Sequence, residues 1–334
     1  MTTPSVTSNT LDTLITLVAP ELEQVNFSLQ KTLESDVELI TQIGTHIISS
    51  GGKRIRPLLV LLISKALNLQ GPKSIFTANI IELIHTATLL HDDVVDESQL
   101  RRGKPCANIT FGNAASVLTG DFLYSRAFEL MCHIGDLKVM EVLAQASNKI
   151  AEGEVHQLQN CHNPDISEKI YFEVIYAKTA KLFEAACHVP GVLAGANQNI
   201  INSLINFGKY LGTAFQIMDD IIDYSSCHET SGKNMGDDLA EGKTTLPLII
   251  ALEHSKKNNL ADYQLLRHAI KTGDLSKLEK ITDILNKTNA LDSTKTIAKK
   301  EADKAEKNIG LFIQNPTLLE PLQALCKMTW DRIA

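Results

Sequence analysis

The chain has 334 residues, enough for one large domain or two of ordinary size, and its 44% apolar content supports a sizeable core. A net charge of −7 argues against a nucleic-acid partner, which wants a basic face, and no apolar run is long enough to cross a membrane. The six cysteines form no Cys-x-x-Cys pair, so neither a zinc site nor a disulfide framework is expected and the thiols read as reduced.

Residues 1–10 are polar and lack the basic start and apolar core of a signal peptide, so they read as a loose tail and the expected location is cytoplasmic. Helical periodicity starts at Leu11, Leu14, Ile15 and Val18 and resumes at Val25, Leu29 and Leu33. Another helix spans 37–49. Gly51-Gly52 stops it, and Pro57 suits the first turn of the next, over 56–67. After the Gly71-Pro72 turn a long apolar helix runs to Leu90. Residues 97–105 read as a loop, followed by helices over 114–135 and 137–159. Asn163-Pro164-Asp165 is a break, and Ser167 can cap a helix over 168–188. A further helix covers 200–224, a polar Gly-containing loop 225–242, and helices resume over 246–254, 261–271, 275–285, 293–309 and from 318 to the end. With no strand alternation, no Gly-x-Gly-x-x-Gly, no P-loop and no strong linker, residues 1–334 are expected to form a single all-α domain.

Two of these helices end on the same pattern. Asp92-Asp93-Val94-Val95-Asp96 closes the first, and Asp219-Asp220-Ile221-Ile222-Asp223 the second. The first and last aspartates of each triplet share a helix face one turn apart, and like charges at that spacing repel. One such cluster is ordinarily a solvated helix end. Two matching clusters, each behind an apolar helix, call for a cation, and oxygen-only ligands suit magnesium with a substrate phosphate. Basic residues stand beside these signals: Lys53 and Arg56; Arg101 and Arg102; Lys178; Lys233 and Lys243. Each alone reads as a surface charge. Together, in an acidic protein, they are what binding polyanions requires.

The strings Gly51-Gly52-Lys53-Arg54-Ile55-Arg56-Pro57, the first aspartate triplet with Arg101-Arg102-Gly103, Lys178-Thr179, Phe215-Gln216 before the second triplet, and Gly232-Lys233-Asn234 with Asp237 resemble the trans-isoprenyl diphosphate synthase family over about residues 40–250. Residues 85–91 and 111–118 look most like its bacterial octaprenyl-forming members. The resemblance implies an isoprenoid synthase fold: a single large helical bundle around a deep apolar cavity, in a homodimer. It implies two or three Mg2+ ions, with Asp92, Asp96 and Asp219 as ligands and Asp93, Asp220 and Asp223 close by. Arg101, Lys178, Thr179, Gln216, Lys233 and Lys243 would hold an allylic diphosphate; Lys53, Arg56, His85 and Arg102 would hold isopentenyl diphosphate. A lone histidine on an apolar helix is more often a core residue, and only the resemblance assigns His85 to substrate.

The resemblance also implies chain elongation, with the product serving as a quinone side chain. One turn before Asp92 stand Ala87 and Thr88, where short-chain relatives place bulky aromatics, so a tunnel is expected to stay open. Ile84, Ile81 and Ile80 follow on the same face, and Phe128 and Met131 are candidate floor residues; ordinary core packing is the competing reading for each. A long product would call for peripheral membrane contact at release, though no amphipathic basic anchor stands out. A shorter-chain synthase, a terpene cyclase and a non-catalytic subunit are the alternatives. The second full aspartate triplet and few aromatics weigh against a cyclase, and six retained aspartates against a non-catalytic subunit. A di-iron bundle would need two Glu-x-x-His motifs, and only Glu82-Leu83-Ile84-His85 is present.

Overall fold

The computed structural model describes residues 6–49, 51–69, 71–225, 235–313 and 315–331, with side chains from residue 11. It is helical almost throughout, as the periodicity predicts. The elements are α1 (Val6–Leu17), α2 (Ala19–Thr32), α3 (Glu38–Ser49), α4 (Ile55–Ala66), α5 (Lys73–Val95), a two-stranded hairpin of β1 (Leu100–Arg101) and β2 (Lys104–Pro105), α6 (Ala107–Phe111), α7 (Asn113–Ile134) and α8 (Leu137–Asn160). Then come α9 (Glu168–Ile175), a π-helical turn (Tyr176–Ala180), α10 (Lys181–Leu193), α11 (Gln198–Ile222), α12 (Asp237–Ala240), α13 (Leu246–Asn258), α14 (Leu260–Thr272), α15 (Leu278–Lys287), α16 (Ala290–Ile309) and α17 (Pro316–Trp330). No helix among the described residues is long and apolar enough to cross a membrane.

Two compact units result. Unit 1 comprises Met1–Ser147, Leu182–Gly208 and Glu306–Leu325; unit 2 comprises Asn148–Lys181, Lys209–Ala305 and Cys326–Ala334. In unit 1, α5 is the central element and packs on α2, α4 and α7. Every residue of α4 from Pro57 to Ser64 is buried, as expected of a helix that is apolar all round. Along α5 burial continues through Ile80, Ile81, Leu83, Ile84, Ala87 and Leu90 to Asp93. In unit 2, α13 packs on α9, α14 and α15. Tyr171, Ile217, Met218, Ile221 and Leu246 form one of its apolar clusters.

Four expectations need correction. Of the segment read as a loose tail over 1–10, residues 1–5 lie outside the described residues and the rest is helical from Val6, because adding a polar residue to a helix already nucleated by Leu11–Leu17 costs only tenths of a kcal/mol (roughly 0.5 per Ser or Thr). The segment read as a loop over 97–105 contains the hairpin, turned by Arg102 and Gly103 at φ 53° and 75°. The helix read over 168–188 is broken by the π-turn and reaches Leu193 despite Pro190. The polar loop after the second aspartate triplet includes the short α12.

Candidate active site

Both aspartate triplets sit where the reading placed them, at the C-terminal ends of the long helices α5 and α11. Helix C-termini carry the negative end of the macrodipole, so carboxylates there are disfavoured twice over, by each other and by the backbone. In both triplets the middle residue turns inward. Asp93 is fully buried and Asp220 is 2% exposed, whereas Asp92, Asp96 and Asp219 are half-buried. Residues one and five share a helix face, and residue two lies about 100° round from the first. The pattern therefore offers both outer carboxylates of the first triplet and Asp219 of the second, while Asp223, 8% exposed, is buried with Asp220.

In unit 1 the inner carboxylate is held by a cation. Asp93 accepts from Arg101 Nη2 at 2.6 Å and from Arg101 Nε at 3.1 and 3.2 Å. Asn108 Nδ2 closes the turn by donating to the Asp93 and Ser98 carbonyls at 2.9 and 3.2 Å. The hairpin is pinned to α3 as well, Lys104 Nζ donating to Ser49 O at 3.2 Å and His46 Nε2 to Pro105 O at 2.9 Å. Arg102, at the hairpin turn, packs on Gly52: a Cβ there would lie 2.7 Å from Arg102 Nη1, so any side chain at 52 would make the guanidinium shift. Arg54 is absorbed structurally, paired with the buried Glu82 and donating to Ile48 O at 3.3 Å.

Arg56 lies 4.5 Å over the Phe183 ring and donates to His85 Nε2 at 3.1 Å. A guanidinium can only donate, so His85 Nε2 is the unprotonated nitrogen. Burial, followed by Arg56, Arg101, Arg102 and Arg54, holds the His85 pKa well below its ordinary value. Arg102 is likewise depressed by burial and by Arg101 and Arg54. The unit thus collects Arg56, His85, Arg101 and Arg102 around a local excess of positive charge. Lys53 is exposed on the adjoining loop. An anion with several oxygens would relieve that excess.

Unit 2 shows the opposite imbalance. Tyr171 Oη donates to Asp220 Oδ2 at 2.6 Å and Gln216 Nε2 to Asp220 Oδ1 at 2.8 Å. Thr179 Oγ1 donates in turn to Gln216 Oε1 at 2.7 Å. Burial, then Asp238 and Asp219, push the Asp220 pKa up to about 8 against the pull of its two donors. Asp223 accepts from the Gly236 and Asp238 amides, through its carbonyl at 3.0 Å and Oδ2 at 3.3 Å, folding α12 back onto the triplet. Lys243 pairs with Glu241 and its amide donates to Asp238 O at 2.7 Å. Lys178 sits in the π-turn, where its Nζ donates to Glu154 Oε2 at 2.7 Å. The π-turn fits closely on α8, since a Cβ on Gly153 would come within 2.7 Å of Ala177 Cβ and 3.0 Å of Lys178 N. Lys233 lies outside the described residues.

Among the chain-length candidates, Ile80, Ile81, Ile84 and Ala87 are fully buried on α5, and Thr88 is half-buried with its hydroxyl donating to His85 O at 2.7 Å. On α7 Met131 is 1% exposed, in one stripe with Leu123 and Ala127. Phe128 is 46% exposed, so of the two floor candidates Met131 is the buried one. The two are about 60° apart round the helix, too close for periodicity alone to separate.

The donor set fits magnesium. It offers hard oxygens only, and among the described residues no three His, Cys, Asp or Glu side chains converge into an all-protein cage. Magnesium characteristically takes one or two carboxylates, with waters and substrate phosphate completing its octahedron. Sequence reasoning missed Tyr171, Glu154 and Asp238. For Glu154 the adjacent Gly153 was a faint sign; Tyr171 is 49 residues from Asp220 and had none.

Comparison with known proteins follows this geometry. The family model for polyprenyl synthetase matches residues 37–288. The octaprenyl diphosphate synthase of Escherichia coli (strain K12) is 50% identical over 296 residues, 88% of this chain and 91% of that protein. That of Haemophilus influenzae is 47% identical over 321 residues, 96% and 95% of the two chains. A crystal structure of a polyprenyl synthase from Caulobacter crescentus CB15, complexed with calcium and isoprenyl diphosphate, superposes with a TM-score of 0.91 at 40% identity, covering 97% of this chain and 98% of that one.

Proposed function

This chain belongs to the polyprenyl synthetase family, and from that premise we propose that it is a long-chain trans-polyprenyl diphosphate synthase, adding isopentenyl diphosphate to an allylic diphosphate such as farnesyl diphosphate to give octaprenyl diphosphate. One observation supports the reading: each long helix ends in three carboxylates whose middle member is buried and anchored, while Asp92, Asp96 and Asp219 are half-buried, where a cation can reach them.

Asp92, Asp96 and Asp219 hold Mg2+ in this reading, with Asp93, Asp220 and Asp223 fixing their surroundings. Bound magnesium supplies charge stabilisation to the departing diphosphate. Arg101, Lys178, Lys233 and Lys243 neutralise the same leaving group, with Thr179 and Gln216 beside it. Arg101 does so from a fixed position, since Asp93 holds its other edge. Lys53, Arg56 and Arg102 grip isopentenyl diphosphate. Neutral His85 accepts from Arg56 and keeps Nδ1–H to donate. The allylic C–O bond ionises, the isopentenyl double bond attacks the resulting cation, and a proton is lost to the released diphosphate. These fixed cations are preorganised electrostatic catalysis, and no nucleophilic side chain is needed.

The small or β-branched face of Ala87, Ile84, Ile81 and Ile80, with Met131 as floor, sets the chain length. The reading includes one catalytic domain over residues 1–334, a homodimer, a cytoplasmic location, peripheral membrane contact at product release, and a quinone as the destination of the chain. The test is a product-length assay of the purified protein with farnesyl diphosphate, labelled isopentenyl diphosphate and magnesium, with and without chelator. A magnesium-dependent octaprenyl product is expected. A product stopped at geranylgeranyl length would refute the open tunnel, and no turnover would refute the activity.

A further inference from the structure

Tyr171 belongs to no sequence motif, yet its hydroxyl makes the 2.6 Å bond to Asp220. Its ring is 3% exposed and packs with Ile217, Met218, Ile221 and Leu246, edge-on to Phe172 with centroids 5.4 Å apart. The position is set locally: the Ser167 hydroxyl accepts from Ile170 N at 3.3 Å, and Tyr171 N donates to Ser167 O at 3.0 Å, starting α9 at a fixed angle. Ring packing would satisfy a phenylalanine equally well. The hydroxyl therefore needs its own reason.

That reason is the direction of a relay. Tyr171 and Gln216 take one oxygen each of Asp220. Gln216 presents its NH2 to Asp220 and its carbonyl to Thr179. The Thr179 hydroxyl proton is then committed to Gln216, and its lone pairs are left to other partners. Thr179 and Lys178 lie in the π-turn, where the irregular backbone gives no i→i−4 ladder to fix side chains. Four residues from three segments (α9, the π-turn and α11) thus form one hydrogen-bonded line, from Tyr171 to Thr179, that passes through Asp220, the neighbour of Asp219.

We propose that Tyr171 is a positioning residue: its hydroxyl fixes the Asp220–Gln216–Thr179 relay, and so sets the π-turn in register with the second aspartate triplet for binding the magnesium–allylic diphosphate. The proposal rests on the activity inferred above. Tyr171 touches neither substrate nor ion, and acts through Asp220.

The test is Tyr171→Phe, which keeps the ring and removes only the donor. Magnesium-dependent binding of a non-ionising allylic thiolodiphosphate is measured by calorimetry, beside steady-state kinetics for both substrates. The expected result is a rise of about three- to tenfold in the allylic dissociation constant, in KM for the allylic diphosphate and in the magnesium midpoint, the scale of one hydrogen bond. KM for isopentenyl diphosphate stays within about twofold of wild type. Combined with Thr179→Val, the second substitution adds nothing, because the relay is already cut. Equal losses for both substrates, unchanged allylic binding, or additive effects in the double variant would overturn the proposal while leaving the activity standing. A wild-type protein that binds no allylic analogue overturns both.

Discussion

The two aspartate triplets read alike in sequence and are built differently. In unit 1 the buried Asp93 faces a guanidinium, so the inner charge is cancelled inside the protein. Among the described residues of unit 2, the buried Asp220 accepts from a phenol and an amide, with Asp238 and Asp219 adding negative charge. The inner charge of the first triplet is neutralised within the protein; that of the second is met by neutral donors. A repeated motif therefore says where carboxylates stand, but the counter-groups decide how strongly each triplet demands a cation.

Removing an outer carboxylate should have the largest effect and ignore the difference. Asp92→Ala and Asp219→Ala are each expected to lower kcat about a hundredfold or more, roughly 3 kcal/mol of transition-state stabilisation, and to raise the magnesium requirement. Wild-type rates in either would remove that residue from the metal set. The inner residues should then separate the triplets. Asp93→Asn leaves the Arg101 charge uncompensated and should cost about 3 kcal/mol in unfolding free energy by urea denaturation. Tyr171→Phe removes a neutral donor and should cost about 1 kcal/mol. Equal costs would erase the contrast between a charged and an uncharged anchor.

A pH series sharpens it further. The Asp220 carboxyl, ordinarily near 3.8, is raised to about 8 in the folded chain, by burial first and then by Asp238. Between those values the native state keeps a proton that the unfolded chain has released. The associated stability is complete below 3.8 and is lost as pH rises through about 8. In chelator, the Tm of wild type should fall relative to that of Asp220→Asn on going from about pH 5 to 9. Parallel wild-type and Asp220→Asn profiles would contradict the unmet charge. The smallest effect is expected away from both triplets. Met131→Ala should lengthen the product and Phe128→Ala should not, because only Met131 is buried. The reverse order by chromatography of dephosphorylated products would return Phe128 to the floor.

Much of this was legible in the chain, and the reasons are physical. Charge and periodicity are local, so the triplets, the long helices and the breaks at Gly51-Gly52 and Asn163-Pro164 could be read directly. Lys53-Arg54-Ile55-Arg56 shows three basic residues but not that Arg54 is consumed by Glu82, a partner 28 residues away. The Tyr171–Asp220 bond has the same character. The π-turn escaped because its residues, Tyr-Ala-Lys-Thr-Ala, carry too few apolar positions to reveal a change of period. Phe128 stands at the border of a stripe, where a few tens of degrees decide the side.

The π-turn also has a bearing on ancestry and engineering. A π-turn is an α-helix carrying one surplus residue, a scar of insertion that ordinary helix energetics would tend to expel. Deleting a single residue between Tyr176 and Ala180 should heal the helix, and would change the direction in which the side chains of the turn itself point. Lys178 and Thr179 would then lose their opposite numbers Glu154 and Gln216 together. The defect is thus the part of the segment that cannot be repaired without loss: a more regular backbone would be a less competent one.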